Sequence, residues 1–70
     1  MTQTKTFFLN GQEYRTDKTI NLLELLSYFN YNSELLVLEL NNFICNKKDW
    51  DKIFITNEDK IEIVTIVGGG

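Results

Sequence analysis

The groups in this chain best suited to take part in a reaction are Gly68, Gly69 and Gly70, together with the α-carboxylate that Gly70 carries. They follow directly on an apolar segment with a strand pattern, Lys60 to Val67. Glycine has no Cβ, so such a tail is flexible when free and slim enough to enter a channel closed to other residues. At roughly 3.3 to 3.6 Å per residue, three glycines reach about 10 Å past the strand, enough to place a carboxyl carbon inside another protein's active site. A frayed end or an artificial extension has the same composition, because disorder concentrates at termini. On the tail alone the two readings stand level.

Little else in the chain could do chemistry. Histidine is absent, which removes Ser-His-Asp and Cys-His nucleophile pairs and every His-based metal site, so no metal ligand set is expected. The single cysteine, Cys45, has no partner for an internal disulfide and reads as a small buried hydrophobe. A catalytic thiol needs a base or a positive field, and Lys47 and Lys48 give only an unspecific hint of one.

Seventy residues allow one domain with one small core. A hydrophobic fraction of 43% with nine aromatic residues suffices for a folded globule, and no apolar run approaches a membrane span. The net charge of −3 and the single arginine, Arg15, argue against nucleic acid and for a basic protein surface as partner. Met1 to Lys5 carries neither a secretion signal nor an Arg-rich transit pattern. The protein is therefore expected to act where it is made, or to have been trimmed. Asn, Lys, Ile, Phe and Tyr are abundant, a bias that AT-rich genomes write, so the expected location is the cytoplasm, or the plastid stroma if the gene is organellar.

The elements that must position the tail are short. Lys5 to Leu9 reads as a strand, Asn10-Gly11 as a two-residue hairpin turn and Gln12 to Arg15 as the returning strand. Thr19 is the expected N-cap of a helix whose core stripe is Leu22, Leu25, Leu26 and Phe29, ended by Asn30 and Asn32. Leu36, Leu38 and Leu40 alternate with Val37 and Glu39 in a strand from Leu36 to Asn41. After Asn41-Asn42 comes a short Phe43 to Cys45 strand, then an irregular or one-turn helical connection around Trp50. The polar turn Thr56-Asn57-Glu58-Asp59 leads into the last strand, Lys60 to Val67. The expected class is α+β: a mixed four- to five-stranded sheet with one helix across a single face, residues 1–67 forming the domain and 68–70 the tail.

One helix leaves the other face of that sheet partly bare. In the last strand Ile61 and Ile63 point inward and Glu62 outward, so continued alternation puts Val64 and Ile66 outside. With Phe7 and Leu9 in the core, Phe8 also faces out. Phe8, Val64 and Ile66 are thus expected to form a docking patch sharing one edge of the molecule with the tail. Scattered apolar surface residues are the ordinary alternative.

Several of these features together resemble the ubiquitin-like β-grasp sulfur carriers and, among them, the ThiS carriers of thiamine biosynthesis. The resemblance rests on the opening strand into Asn10-Gly11, Thr19 before the Leu-rich helix, Asn41 after the third strand, Trp50, and Ile61-Glu62-Ile63-Val64-Thr65-Ile66-Val67-Gly68-Gly69-Gly70. It spans nearly the whole chain. Members commonly carry a Gly-Asp turn before the last strand and a proline after the fourth; here the turn is Glu58-Asp59 and proline is absent. Molybdopterin-synthase small subunits also end in Gly-Gly, usually after a proline-containing approach, which tilts the resemblance towards the thiamine carriers.

The resemblance implies a carrier that is not itself an enzyme and binds no cofactor. A ThiF-like adenylyltransferase would use ATP to adenylate the Gly70 carboxylate, with Gly68 and Gly69 threaded into its active site. A persulfide donor would then displace AMP, leaving a thiocarboxylate at Gly70 for a ThiG-like thiazole synthase. It implies no nucleic-acid or membrane partner and a monomer when alone. A molybdopterin-type carrier or a ubiquitin-like protein modifier remains the alternative.

Overall fold

The computed structural model describes residues 3–65; the expected docking residue Ile66 and the expected reactive tail Gly68 to Gly70 lie outside the described residues. The chain opens with a hairpin of β1 (Lys5–Leu9) and β2 (Gln12–Thr16), joined by Asn10 at φ 51° and Gly11 at φ 83°. Both turn residues are left-handed, the geometry whose twist matches that of the flanking strands. Helix α1 (Leu22–Tyr28) follows, then a 3-10 turn at Ser33–Leu35, β3 (Leu36–Leu40), β4 (Phe43–Cys45), a second 3-10 turn at Lys47–Asp49, and β5 (Asp59–Thr65). A second left-handed pair, Asn41 and Asn42 at φ 52° and 74°, turns β3 into β4.

The sheet has five strands in the order β2-β1-β5-β3-β4. β1 and β5 run parallel at its centre, and the remaining neighbours are antiparallel. This is the mixed sheet and single main helix expected. No helix among the described residues is long and apolar enough to cross a membrane.

The helix begins two residues later than expected. Asn21, not Thr19, is the N-cap: its side chain accepts from the Glu24 N–H at 2.7 Å, and Glu24 Oε1 accepts from the Asn21 N–H at 3.0 Å. This reciprocal capping box needs an acidic or amide side chain three residues on. Asn21 finds Glu24 there, whereas Thr19 would find Leu22. Long-range bonds hold the same point, since Ile20 O accepts from the Ile55 N–H at 3.0 Å and Asn21 Nδ2 donates to Asp51 O at 3.2 Å. At the other end Asn30 takes φ 62°, with Asn30 N–H bonded to Ser27 O and Tyr31 N–H to Leu26 O. That is a Schellman closure with asparagine in the left-handed position usually held by glycine.

Leu22, Leu25 and Leu26 are buried, as the spacing predicts, against Phe7 and Leu9 of β1, Leu36 and Leu38 of β3, and Ile61 and Ile63 of β5. Trp50 and Ile55 close the core from the β4–β5 connection, and Trp50 Nε1 donates to Cys45 O at 3.1 Å. Asp59 departs from its expected place in a polar turn. It is buried and opens β5, its two carboxylate oxygens accepting from the Thr56 N–H at 2.7 Å and Asn41 Nδ2 at 3.0 Å.

Truncating Leu26 to Ala is expected to cost about 2 to 5 kcal/mol in a denaturant titration, a large share of what so small a domain has. Glu58, where glycine is common among members of the resembled family, holds φ 69°. A non-glycine residue there bears a backbone penalty of roughly 1 to 2 kcal/mol, partly offset by its lower unfolded-state entropy. Glu58→Gly is therefore expected to raise the thermal midpoint, with a gain of up to about 1 kcal/mol.

Candidate functional site

Strand β5 is the last described element, three residues short of Gly68 in the sequence, and bonds on both sides hold it. On one side β3 pairs with it along five positions, from Leu36 opposite Thr65 to Leu40 opposite Ile61. On the other side β1 pairs only with its first part, Phe7 to Leu9 against Asp59 to Ile61. Beyond the end of β1, Asn10 takes over. Its N–H donates to Ile61 O at 2.9 Å, and its Oδ1 accepts from the Ile63 N–H at 2.8 Å. A turn residue thus extends the parallel ladder by one side-chain bond towards the exit of β5.

The start of β5 is tied by another asparagine. Asn41 N–H donates to Lys60 O at 2.7 Å, Asn41 Oδ1 accepts from the Lys60 N–H at 2.9 Å, and Asn41 Nδ2 reaches Asp59. Asn57 Oδ1 accepts from the Thr6 N–H at 2.8 Å, and Glu58 N–H donates to Thr6 O, which fixes the preceding turn to β1.

The face of the sheet opposite α1 presents the outward side chains. Val64 is there, 54% exposed, and Phe8 is half-buried on β1. The register does not bring them together. Phe8 stands opposite Lys60, four residues before Val64, or about 13 Å along the strand. Glu62 lies between them on the same face. The single patch expected of Phe8, Val64 and Ile66 is therefore divided: Phe8 belongs to the far end of β5 from the glycine segment, and Ile66 lies outside the described residues. What stands beside Val64 is Val37, its direct partner on β3, and Ile44 of β4, opposite Glu39, extends the outer face at 72% exposure. Ile44 was not singled out from the sequence, because a three-residue strand shows too little alternation to reveal its face.

Cys45 is partly buried, and burial pushes its thiol above the ordinary value. A hydrogen bond with the Leu40 backbone works against that shift, and the Asp49 carboxylate adds to it. The thiol therefore stays protonated at neutral pH, in keeping with a packing role. Among the described residues no group of three or more acidic or cysteine side chains is arranged to hold a metal ion. A cleft of about 250 Å³ opens between β2 and α1, its wall including Phe7, Tyr14, Lys18, Leu25 and Phe29 and, among the described residues, none of β5.

Known proteins share this fold. The model of the ThiS family matches residues 7–70. The chain belongs to the ThiS family. It is 32% identical over 63 residues to the sulfur carrier protein ThiS of Bacillus subtilis (strain 168), covering 89% of this chain and 96% of that protein. It is 76% identical over 66 residues to the ycf40 protein of Trieres chinensis, covering 94% and 90%. The crystal structure of the thiamine biosynthesis protein ThiS from Geobacter metallireducens superposes with a TM-score of 0.80 at 26% identity, over 93% of this chain and 99% of that one. The fold is accordingly the ubiquitin-like β-grasp.

Removing the Asn10 side chain without disturbing its left-handed turn isolates its bond to β5. Asn10→Gly is expected to cost about 1 to 3 kcal/mol, the price of an unsatisfied amide, and to speed hydrogen exchange at the Ile63 N–H selectively.

Proposed function

We propose that this ThiS-family protein is a sulfur carrier for thiazole formation in thiamine biosynthesis, acting as a protein co-substrate and not as an enzyme. The observation that carries this reading is that the family match runs through Gly70, five residues in sequence past a strand that the fold pins on both sides. The absence of histidine throughout the sequence fits the same division of labour, in which the partners supply the acid-base groups.

In the proposed cycle the Gly70 carboxylate attacks the α-phosphate of ATP held by a ThiF-like adenylyltransferase, and pyrophosphate leaves. A carboxylate is a poor electrophile; the acyl-adenylate has AMP as a leaving group. The terminal sulfur of a donor persulfide attacks the acyl carbon and expels AMP. A thiol then cleaves the resulting sulfur–sulfur bond, leaving a thiocarboxylate on Gly70. Its sulfur is softer and more nucleophilic than a carboxylate oxygen and passes to a ThiG-like thiazole synthase. Gly68 and Gly69 would thread the partner's channel, where a Cβ would clash. Val64, with Ile66 and, at the other end of the strand, Phe8, would contact the partner from the outer face. The algal ycf40 relatives and the AT-rich composition support a plastid stroma setting.

Incubation with a ThiF-type enzyme, ATP and a sulfur donor is expected to raise the intact mass by the exchange of one oxygen for sulfur. Gly69→Val or deletion of Gly70 should abolish that gain while leaving the thermal midpoint unchanged. An unaltered mass with an active enzyme would refute the carrier reading. Adducts joined through Gly70 to lysines of other proteins would point instead to a modifier.

A further inference from the structure

Strand β2 is one edge of the sheet, and the hairpin decides which of its backbone groups are free. Thr6 directs its backbone to the other side of β1: its N–H donates to Asn57 Oδ1 at 2.8 Å and its carbonyl accepts from the Glu58 N–H. The Asn10 N–H likewise points to β5. Lys5, Phe7 and Leu9 therefore bond to β2, through Thr16, Tyr14 and Gln12. The alternation of an antiparallel ladder then leaves Glu13 and Arg15 with N–H and C=O groups directed away from the sheet. Unpaired edge groups of this kind are a template for a further strand.

The side chains on the edge select that strand. Glu13 and Arg15 alternate with Tyr14, which packs between Phe7 and Phe29, so both lie on the face away from α1, joined by an exposed ion pair at 3.3 Å. Antiparallel pairing with a second copy of β2 can join free groups to free groups with Glu13 opposite Glu13, Arg15 opposite Arg15, or Glu13 opposite Arg15. The first two set like charges face to face, which destabilises a pair. The third pairs opposite charges on both sides of a two-fold axis through Tyr14, and each Glu13–Arg15 pair exchanges both backbone bonds. From Gln12 to Lys18, Glu13 and Asp17 balance Arg15 and Lys18, so two chains of charge −3 meet along a stretch that is itself neutral.

The face towards α1 agrees with the same register. Tyr14 of each copy meets its equivalent in the closer, non-hydrogen-bonded position, where aromatic cross-strand pairs are favourable. The row of rings from Phe29 through Tyr14 is thereby continued across the axis. Gln12 of the second copy, opposite Thr16, stands at the mouth of the cleft between β2 and α1. The other edge strand, β4, has three residues and no charged side chain to fix a register.

We infer that the chain self-associates through β2, with Glu13 opposite Arg15, into a two-fold dimer in which two five-stranded sheets become one and both helices lie on the same face. Five residues a side is small beside the roughly 20 to 30 of a standard interface, so the dimer forms at high concentration and dissociates on dilution. It leaves the outer faces of β3 and β5 uncovered and does not depend on the carrier reading.

Sedimentation velocity of the full chain at rising concentration is expected to show a monomer–dimer equilibrium. Glu13→Arg and Arg15→Glu each set like charges opposite one another in the dimer and are expected to raise its dissociation constant about tenfold or more. Thermal midpoints should be unchanged at these exposed positions. An equimolar mixture of the two variants restores both opposite-charge pairs and should recover the dimer, as should the exchange of both residues within one chain. Hydrogen exchange gives a reading that needs no variant: the Glu13 and Arg15 N–H groups should slow as concentration rises, while those of Tyr14 and Thr16 do not. A chain that stays monomeric up to about 1 mM would overturn the inference. So would variants that fail to associate when mixed, or a dimer indifferent to either single change, which would put the contact elsewhere, as on Phe43 and Ile44.

Discussion

The whole arrangement depends on the central strand β5 being held from both sides. Parallel pairing with β1 and antiparallel pairing with β3 bury Ile61 and Ile63 beneath α1. Two asparagine side chains complete what the backbone ladders leave undone: Asn41 at the start of β5 and Asn10 beyond the end of β1. A buried strand whose polar backbone groups are satisfied frays little.

Burial on one side is the second constraint. A single helix of seven residues covers one face, and the core of leucines, isoleucines, Phe7 and Trp50 lies beneath it and the β4–β5 connection. The opposite face has no second layer, so its composition is free of core packing. It carries Val37, Val64, Ile44 and Phe8 together with Glu39, Glu62 and Lys60. The division between a covered face and an uncovered one follows from having one helix for five strands among the described residues.

Local signals were legible wherever neighbouring residues decide the outcome. The left-handed turn at Asn10-Gly11, the leucine stripe of α1 and its end at Asn30 all appear where their spacing predicts. Errors arose where a residue had two competing roles. Thr19 is a fair N-cap in isolation, yet Asn21 has Glu24 three residues on and a bridge to Phe54 that sets the chain direction. Asp59 resembles a turn residue, but Asn41, eighteen positions away in sequence, gives its carboxylate a reason to be buried. The outward direction of Phe8 and Val64 was also readable, and their separation was not. Alternation fixes a face, whereas the offset between two strands depends on which residues pair.

By itself the sequence determined the class of fold, the leucine stripe of the core and the lack of histidine-based catalytic groups, since each follows from residue type and short-range periodicity. Only the tertiary structure decided which strands are neighbours and in what register. That long-range pairing set Phe8 apart from Val64, put Val37 beside Val64, and brought two glutamates face to face. Those contacts join residues more than twenty positions apart, and their geometry comes from strand pairing that no local pattern encodes.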